Sequence, residues 1–341
     1  MNPVFRSLAG RHGADVTCRP KQLARHVLRA PKWAFVAAVV REGAGAAGGD
    51  GAAERWRDGF QLLAKPSDPV AAAVKFVDRH AEDLGVDFVD VNLSCPAGPV
   101  VRSGRGGALL RRPSLVRRLV EEVRSHTSLP VTAKIRAGFE PGDSPRPVCE
   151  VLEDAGLAWV TVNRVPVRHV PLNARWGRDE YWAFREATRG LGWRTPVLAN
   201  GGISTAEDAA AVLGATKCAG VLLGRAALGD HRIYDRIKRR LAPSPGRAPR
   251  PVEPDVSGLL GELFAEFRRY ARVRGGRWST IGQVKALVHP YLARAARGKL
   301  PRGRGRVAWQ RARFTWETLR EALTEAFPSV GADQWREWLP P

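Results

Sequence analysis

The chain has 341 residues, 55 Lys+Arg against 34 Asp+Glu, a formal net charge of +21, and 44% hydrophobic residues. That length suits about two domains and a sizeable core; the apolar fraction excludes a disordered polycation, and no run of about 18 apolar residues could cross a bilayer. Cys18, Cys95, Cys149 and Cys218 lie far apart with no C-x-x-C pair, which argues against a disulfide framework or a zinc knuckle. With no charged-then-apolar pattern in Met1-Asn2-Pro3-Val4-Phe5-Arg6, the expectation is a reduced, cytoplasmic protein.

In chain order, a weak strand at Asp15–Thr17 precedes a strand at Ala34–Val40 and a Gly/Ala-rich insertion at Gly43–Ala53. Strands are then predicted at Phe60–Leu63, Phe88–Asn92, Val131–Ile135, Trp159–Asn163, Val197–Ala199 and Gly220–Leu223. Helical patterns lie between them at Pro69–Leu84, Pro113–His126, Pro147–Ala155, Asp179–Leu191 and Thr205–Leu213. Repeated βα units imply a parallel sheet, and their number over about 240 residues suits an α/β fold of the (β/α)₈ TIM-barrel type. A doubly wound sheet is the alternative, weakened because no G-x-G-x-x-G follows the first strand.

Ala242–Asp255 carries five prolines in fourteen residues and denies both helix and sheet, so it reads as a linker. It separates a domain over 1–241 from an all-α helical domain over 256–341. There, helices are predicted from Asp255 to about Arg272, through Ile281–Val288, and over Val307–Phe327. From Arg268 to Arg320 fifteen Lys/Arg stand against one acid, Glu317, two-thirds of the whole positive surplus. Tyr270, Trp278, Tyr291, Trp309, Phe314 and Trp316 are interleaved. Cations that displace phosphate counterions, mixed with rings that stack on unpaired bases, fit nucleic acid; a solvated Arg-rich helical face is the plainer explanation.

Polar residues recur at the C-terminal ends of successive strands: Gln61, Asn92, Lys134 and Arg136, Asn163, Asn200-Gly201-Gly202, and Gly224-Arg225. In a barrel that is the face on which active sites are built. The glycines at 201, 202 and 224, with Arg225, fit a phosphate, either of a substrate or of flavin mononucleotide (FMN). Lys134 on a neighbouring strand could neutralise an electron-rich ring. Cys95, the cysteine in a loop at this face, could serve as nucleophile or proton donor, or be a small buried hydrophobe.

The ordered set Asp90-Val-Asn-Leu-Ser-Cys95-Pro96, Gly104-x-Gly106-Gly107, Val131-Thr-Ala-Lys134-Ile-Arg136, Asn200-Gly-Gly-Ile203 and Gly224-Arg-Ala-Ala-Leu-Gly229 resembles the tRNA-dihydrouridine synthase family. The similarity covers about residues 2–241; Asn2–Arg6 with Gly13–Asp15 looks like that family's first helix and second strand. The resemblance implies an FMN-bound barrel with a helical RNA-binding domain, reducing the C5–C6 bond of uridine in tRNA with NADPH as reductant. It implies Cys95 as the acid that protonates C5, and Gln61 and Lys134 on the isoalloxazine. Gly202, Gly224 and Arg225 would hold the FMN phosphate, with Asn200 and Gly201 also cofactor-binding; Asn92 would line the uracil site, with Arg136 also substrate-binding. No stable protein partner is implied.

Three departures from the family stand out. Met1 falls after the expected first barrel strand. Asn163-Arg164-Val165-Pro166 stands where a His-Gly-Arg-Thr segment is expected, leaving His169 or Arg168 as replacements for the histidine. Ser94 replaces a usual glycine. A catalytically impaired tRNA-binding paralogue and a barrel oxidoreductase acting on a free pyrimidine are the alternative readings.

Overall fold

A computed structural model describes residues 3–29, 56–168, 181–190, 194–242, 256–273, 288, 291, 315–327, 330 and 332–338. The predicted strand at 34–40, the insertion at 43–53, residues 243–255 of the linker, most of the second tail helix and most of the basic 268–320 segment lie outside them.

Among the described residues eight strands form one sheet: β1 (Val16–Cys18), β2 (Gln22–Leu23), β3 (Arg57–Leu63), β4 (Phe88–Asn92), β5 (Val131–Arg136), β6 (Trp159–Asn163), β7 (Val197–Asn200) and β8 (Gly220–Leu222). Every pairing is parallel, in the order β1-β3-β4-β5-β6-β7-β8, with β2 also on β3. β1 and β2 are successive pieces of one stave, because Val16 pairs with Arg57 and Gln22 with Leu62 along the same edge. Helices intervene at Val70–Arg79, Pro113–Arg124, Arg146–Asp154, Trp182–Gly190 and Ala206–Ala215. This sequential parallel βα order is the expected barrel class.

The alternation of each strand explains the filling of the sheet's inner face. At the strand N-terminal end, Phe88 and Trp159 meet edge to face with centroids 4.8 Å apart. Gly59 admits Phe88: a Cβ there would lie 2.1 Å from the ring. Gly59→Ala is therefore expected to lower stability by about 1–3 kcal/mol through overpacking. Phe88→Leu in the same chain should recover part of that loss, read as paired thermal midpoints. Two residues further along each strand the same face turns polar.

The chain divides into two compact units. The first holds β1 to β8 and their helices, to Gly224; among the described residues the second holds 3–14 and those from Arg225 onward. The second unit is helical, with Pro3–Arg11, Ile233–Leu241, Val256–Val273, Trp316–Ala326 and Ala332–Trp338. Leu259, Leu263, Phe264 and Phe267 are buried at helical spacing, and Phe264 meets Trp335 edge to face at 5.7 Å. Arg11 Nη1 lies 2.9 Å from Glu266 Oε2, tying the first helix to this unit. No described helix is long and apolar enough to cross a membrane.

Candidate active site

Register sets the polar rows. Gln61 pairs with Asp90 and Asp90 with Thr132 at one level, and Asn92 with Lys134 at the next, so the side chains of Gln61, Asp90, Thr132 and Asn92, from three strands, stand on the same face. They form a directed hydrogen-bond chain. Thr132 Oγ1 donates to Asp90 Oδ1 at 2.8 Å, and Gln61 Nε2 donates to Asp90 Oδ2 at 2.7 Å. Asn92 Nδ2 donates to Gln61 Oε1 at 2.8 Å, and Asn92 Oδ1 accepts the backbone N–H of Ser94 and Cys95 at 3.2 and 3.0 Å. A carboxylate only accepts, so Asp90 fixes the orientation of both amides, and through them the Cys95 loop.

Asp90 was not singled out by the sequence reading, although its place two residues before Asn92 puts both on one face. Burial raises its pKa, against the hydrogen bonds from Gln61 and Thr132 and the charge of Lys134. Burial also lowers that of Lys134, opposed by Asp90 and Cys18. Asp90→Asn offers one acceptor where two donors need one each. The expected loss is about 1–3 kcal/mol, the cost of an unsatisfied buried donor. Faster alkylation of Cys95, followed on its own peptide by mass spectrometry, would report the loosened loop.

Cys95 is 8% exposed. Its carbonyl accepts Gly107 N–H at 3.1 Å, and a Cβ on Gly106, whose φ is +58°, would lie 3.0 Å from the Cys95 Cβ. Gly107 leaves room for Val167, whose Cγ2 would be 2.5 Å from an added Cβ. Arg136 donates from Nε to Ser94 O at 2.7 Å and from Nη1 to Val165 O and Pro166 O at 3.1 and 3.0 Å. It thereby clasps the loop after β4 to the loop after β6. Beneath these loops Asp68 pairs with Arg105 in a buried, two-pronged contact.

A second polar row runs across the ends of β6 to β8. Asn163 Nδ2 donates to Asn200 Oδ1 at 2.7 Å, and Asn200 Nδ2 to Leu222 O at 2.7 Å. Gly201 and Gly202 follow with φ of +101° and +76°. A Cβ on Gly202 would lie 2.3 Å from the Arg164 guanidinium, so this turn brings backbone N–H groups and a cation together. The start of the next helix is already capped. Asp208 accepts Ser204 and Thr205 N–H at 2.8 and 3.0 Å, which leaves the glycine turn rather than the helix terminus for an anion.

Of the replacements expected for the family histidine, Arg168 pairs with Glu140 at 3.0 Å, and His169 lies outside the described residues. Arg164, which the sequence reading passed over, is the cation at the glycine turn. Gly224 is in open space, with nothing within 4 Å of an added Cβ, and Arg225 opens the second unit. The donor set suits a flavin in two respects. Lys134 has no hydrogen-bond or salt-bridge partner among the described residues and pairs in register with Asn92, where an electron-rich ring would accept it. The glycine turn with Arg164 would take a phosphate.

A family model described as dihydrouridine synthase (Dus) matches residues 52–253. Proteins named tRNA-dihydrouridine synthase B from Xanthomonas axonopodis pv. citri, Pectobacterium carotovorum and Pseudomonas putida are each 32% identical. The matches span 201, 211 and 219 residues, covering 58%, 62% and 64% of this chain and 58%, 62% and 62% of theirs. The chain thus spans about three-fifths of the length of the curated relatives it matches. Two solved structures are similar at 16% identity: DHODH from Eimeria tenella in complex with ferulenol, and a variant of NCR from Zymomonas mobilis. Their TM-scores are 0.41 and 0.47, covering 55% and 71% of this chain and 57% and 80% of theirs.

Proposed function

Because the chain belongs to the dihydrouridine synthase family, we propose that it is a flavin-dependent tRNA-dihydrouridine synthase, reducing the C5–C6 bond of uridine in tRNA with FMN as cofactor and NADPH as reductant. The observation that carries this reading is the chain from Asp90 through Gln61 and Asn92 to the Cys95 N–H, which fixes the thiol-bearing loop at the strand C-terminal ends, where Lys134, with no hydrogen-bond or salt-bridge partner among the described residues, pairs in register with Asn92. Bound FMN would supply hydride to uracil C6. Cys95 holds the proton for C5. Gln61 keeps one Nε2–H, and Lys134 its ammonium, for the flavin ring. Asn92 keeps one Nδ2–H, and Arg136 its Nη2, for the uracil carbonyls. Asn200, Gly201, Gly202, Gly224 and Arg225, joined by Arg164, take the phosphate.

We assign residues 1–241 to catalysis, 242–255 to a linker and 256–341 to the grip on tRNA, since a uridine must leave its stack to reach a flavin and the surrounding fold must be held while it does. The second reading, a tRNA-binding paralogue without redox activity, draws on Asn163. Its amide is spent on Asn200 and on the Val165 N–H, where the family resemblance implies a histidine. Full-length protein mixed with FMN, NADPH and tRNA lacking dihydrouridine separates the readings. Flavin retention with dihydrouridine formation supports the enzyme. A protein that binds tRNA but stays colourless and inactive after reconstitution supports the paralogue. Salt-insensitive, negligible tRNA binding with activity on a free pyrimidine overturns both.

A further inference from the structure

We propose that the helical unit holds a divalent transition-metal ion of the zinc type on His12, His231 and Glu262. The three residues come from distant parts of the chain: His12 follows the first helix, His231 precedes Ile233–Leu241, and Glu262 lies within Val256–Val273. Their ligand atoms lie within 4.8 Å of one another. His12 Nε2 is 3.0 Å and His231 Nε2 2.5 Å from the same oxygen, Glu262 Oε2.

What distinguishes this cluster from a simple ion pair is the second set of contacts. His12 Nδ1 is 3.0 Å from Asp235 Oδ2, and His231 Nδ1 is 2.8 Å from Tyr291 OH. Arg232 engages Glu262 Oε1 from Nε at 3.1 Å and Nη2 at 2.5 Å, and its Nε also reaches Oε2 at 3.3 Å. Each ring is thus gripped at Nδ1 and presents Nε2 to a common point, and the carboxylate is gripped most closely at Oε1 and turns Oε2 to the two rings. This is the outer-shell pattern that orients metal ligands. Two imidazoles and a carboxylate suit zinc and its neighbours, whereas calcium and magnesium prefer all-oxygen sets. Binding replaces the Nε2 protons, which pass to solvent, and leaves a fourth position for water. The ion would cross-link residues 12, 231 and 262 and so fasten the segment after the first helix to the start of Ile233–Leu241 and to Val256–Val273. This inference is independent of the proposed activity.

The test is metal content and spectroscopy on the full-length chain. After exposure to zinc and removal of free metal, about one equivalent should remain per chain, and a chelator should lower the thermal midpoint. Cobalt substituted for zinc should give the intense visible bands of a low-coordinate site. Glu262→Gln and His12→Ala should each lose the bound equivalent, while His26→Ala, at an exposed histidine elsewhere, keeps it. His12→Ala guards against a Glu262→Gln chain that does not fold. No retained metal in the wild type, a six-coordinate cobalt spectrum, or an equivalent that survives both substitutions would overturn the proposal.

Discussion

Cys95→Ala is expected to slow dihydrouridine formation by about 10²–10⁴-fold, the contribution of a positioned general acid, with tRNA affinity unchanged. The substitution removes the thiol and keeps what holds the loop. The Cys95 N–H still reaches Asn92 Oδ1, its carbonyl still takes Gly107 N–H, and Arg136 still clasps Ser94 O. An effect on rate alone therefore reports the lost proton. Single-turnover reduction of tRNA by pre-reduced protein is the measurement. A wild-type rate would remove Cys95 from the chemistry, and a parallel loss of tRNA affinity would recast it as a structural residue. Cys95→Ser keeps the shape but carries a far weaker acid, and should fall nearer to alanine than to wild type.

Arg105→Ala should cost about 3–5 kcal/mol of stability, because it strands a buried carboxylate. Arg105 Nε donates to Asp68 Oδ2 at 2.7 Å, Nη2 engages Oδ1, and the Lys65 N–H adds a further bond to Oδ2 at 2.9 Å. Both side chains are close to nine-tenths buried. The pair also sits one residue before Gly106, which abuts Cys95, so its loss should raise the alkylation rate of that thiol. Replacing both partners, with Asp68→Leu and Arg105→Met, should recover most of the stability. Burial alone would raise the Asp68 pKa, but the hydrogen bonds from Arg105 and Lys65 and the charge of Arg105 outweigh it and hold it below the ordinary 3.8. A lowered folded-state pKa means the pair stabilises fully above 3.8. That contribution fades as pH falls below 3.8 and is gone beneath the folded value. Denaturant midpoints of wild type and Arg105→Ala should therefore converge in strong acid and separate near neutrality.

The strands most legible in the sequence were those whose apolar, β-branched runs are bounded by turn residues. Phe88–Asn92 and Trp159–Asn163 end where periodicity placed them. The single helix expected over Pro69–Leu84 breaks at His80, whose φ of −104° and ψ of 15° leave the helical region, giving Val70–Arg79 and Ala81–Leu84. β2 and the one-turn helix Ala24–Val27 are too short to carry a period, and the amphipathic Ile233–Leu241 was passed over amid its Lys and Arg. For the site, strand ends revealed which residues could converge. They could not reveal which amide bonds which, since that depends on register between strands far apart in sequence. Asp90 and Arg164 show the difference: one takes its role from facing Gln61 and Thr132, the other from the space left by Gly202.

The three carbonyls held by Arg136 have a thermodynamic consequence. Two segments that would otherwise hinge separately, 93–96 and 165–167, are fastened to one guanidinium rooted in a strand. Ordering a loop residue costs about 1–2 kcal/mol in backbone entropy. Here that cost falls once, when the chain folds, instead of at every encounter with substrate. The two segments are also coupled through that one side chain: displacing the Cys95 segment breaks the bond to Ser94 O or, if the guanidinium follows, those to Val165 O and Pro166 O.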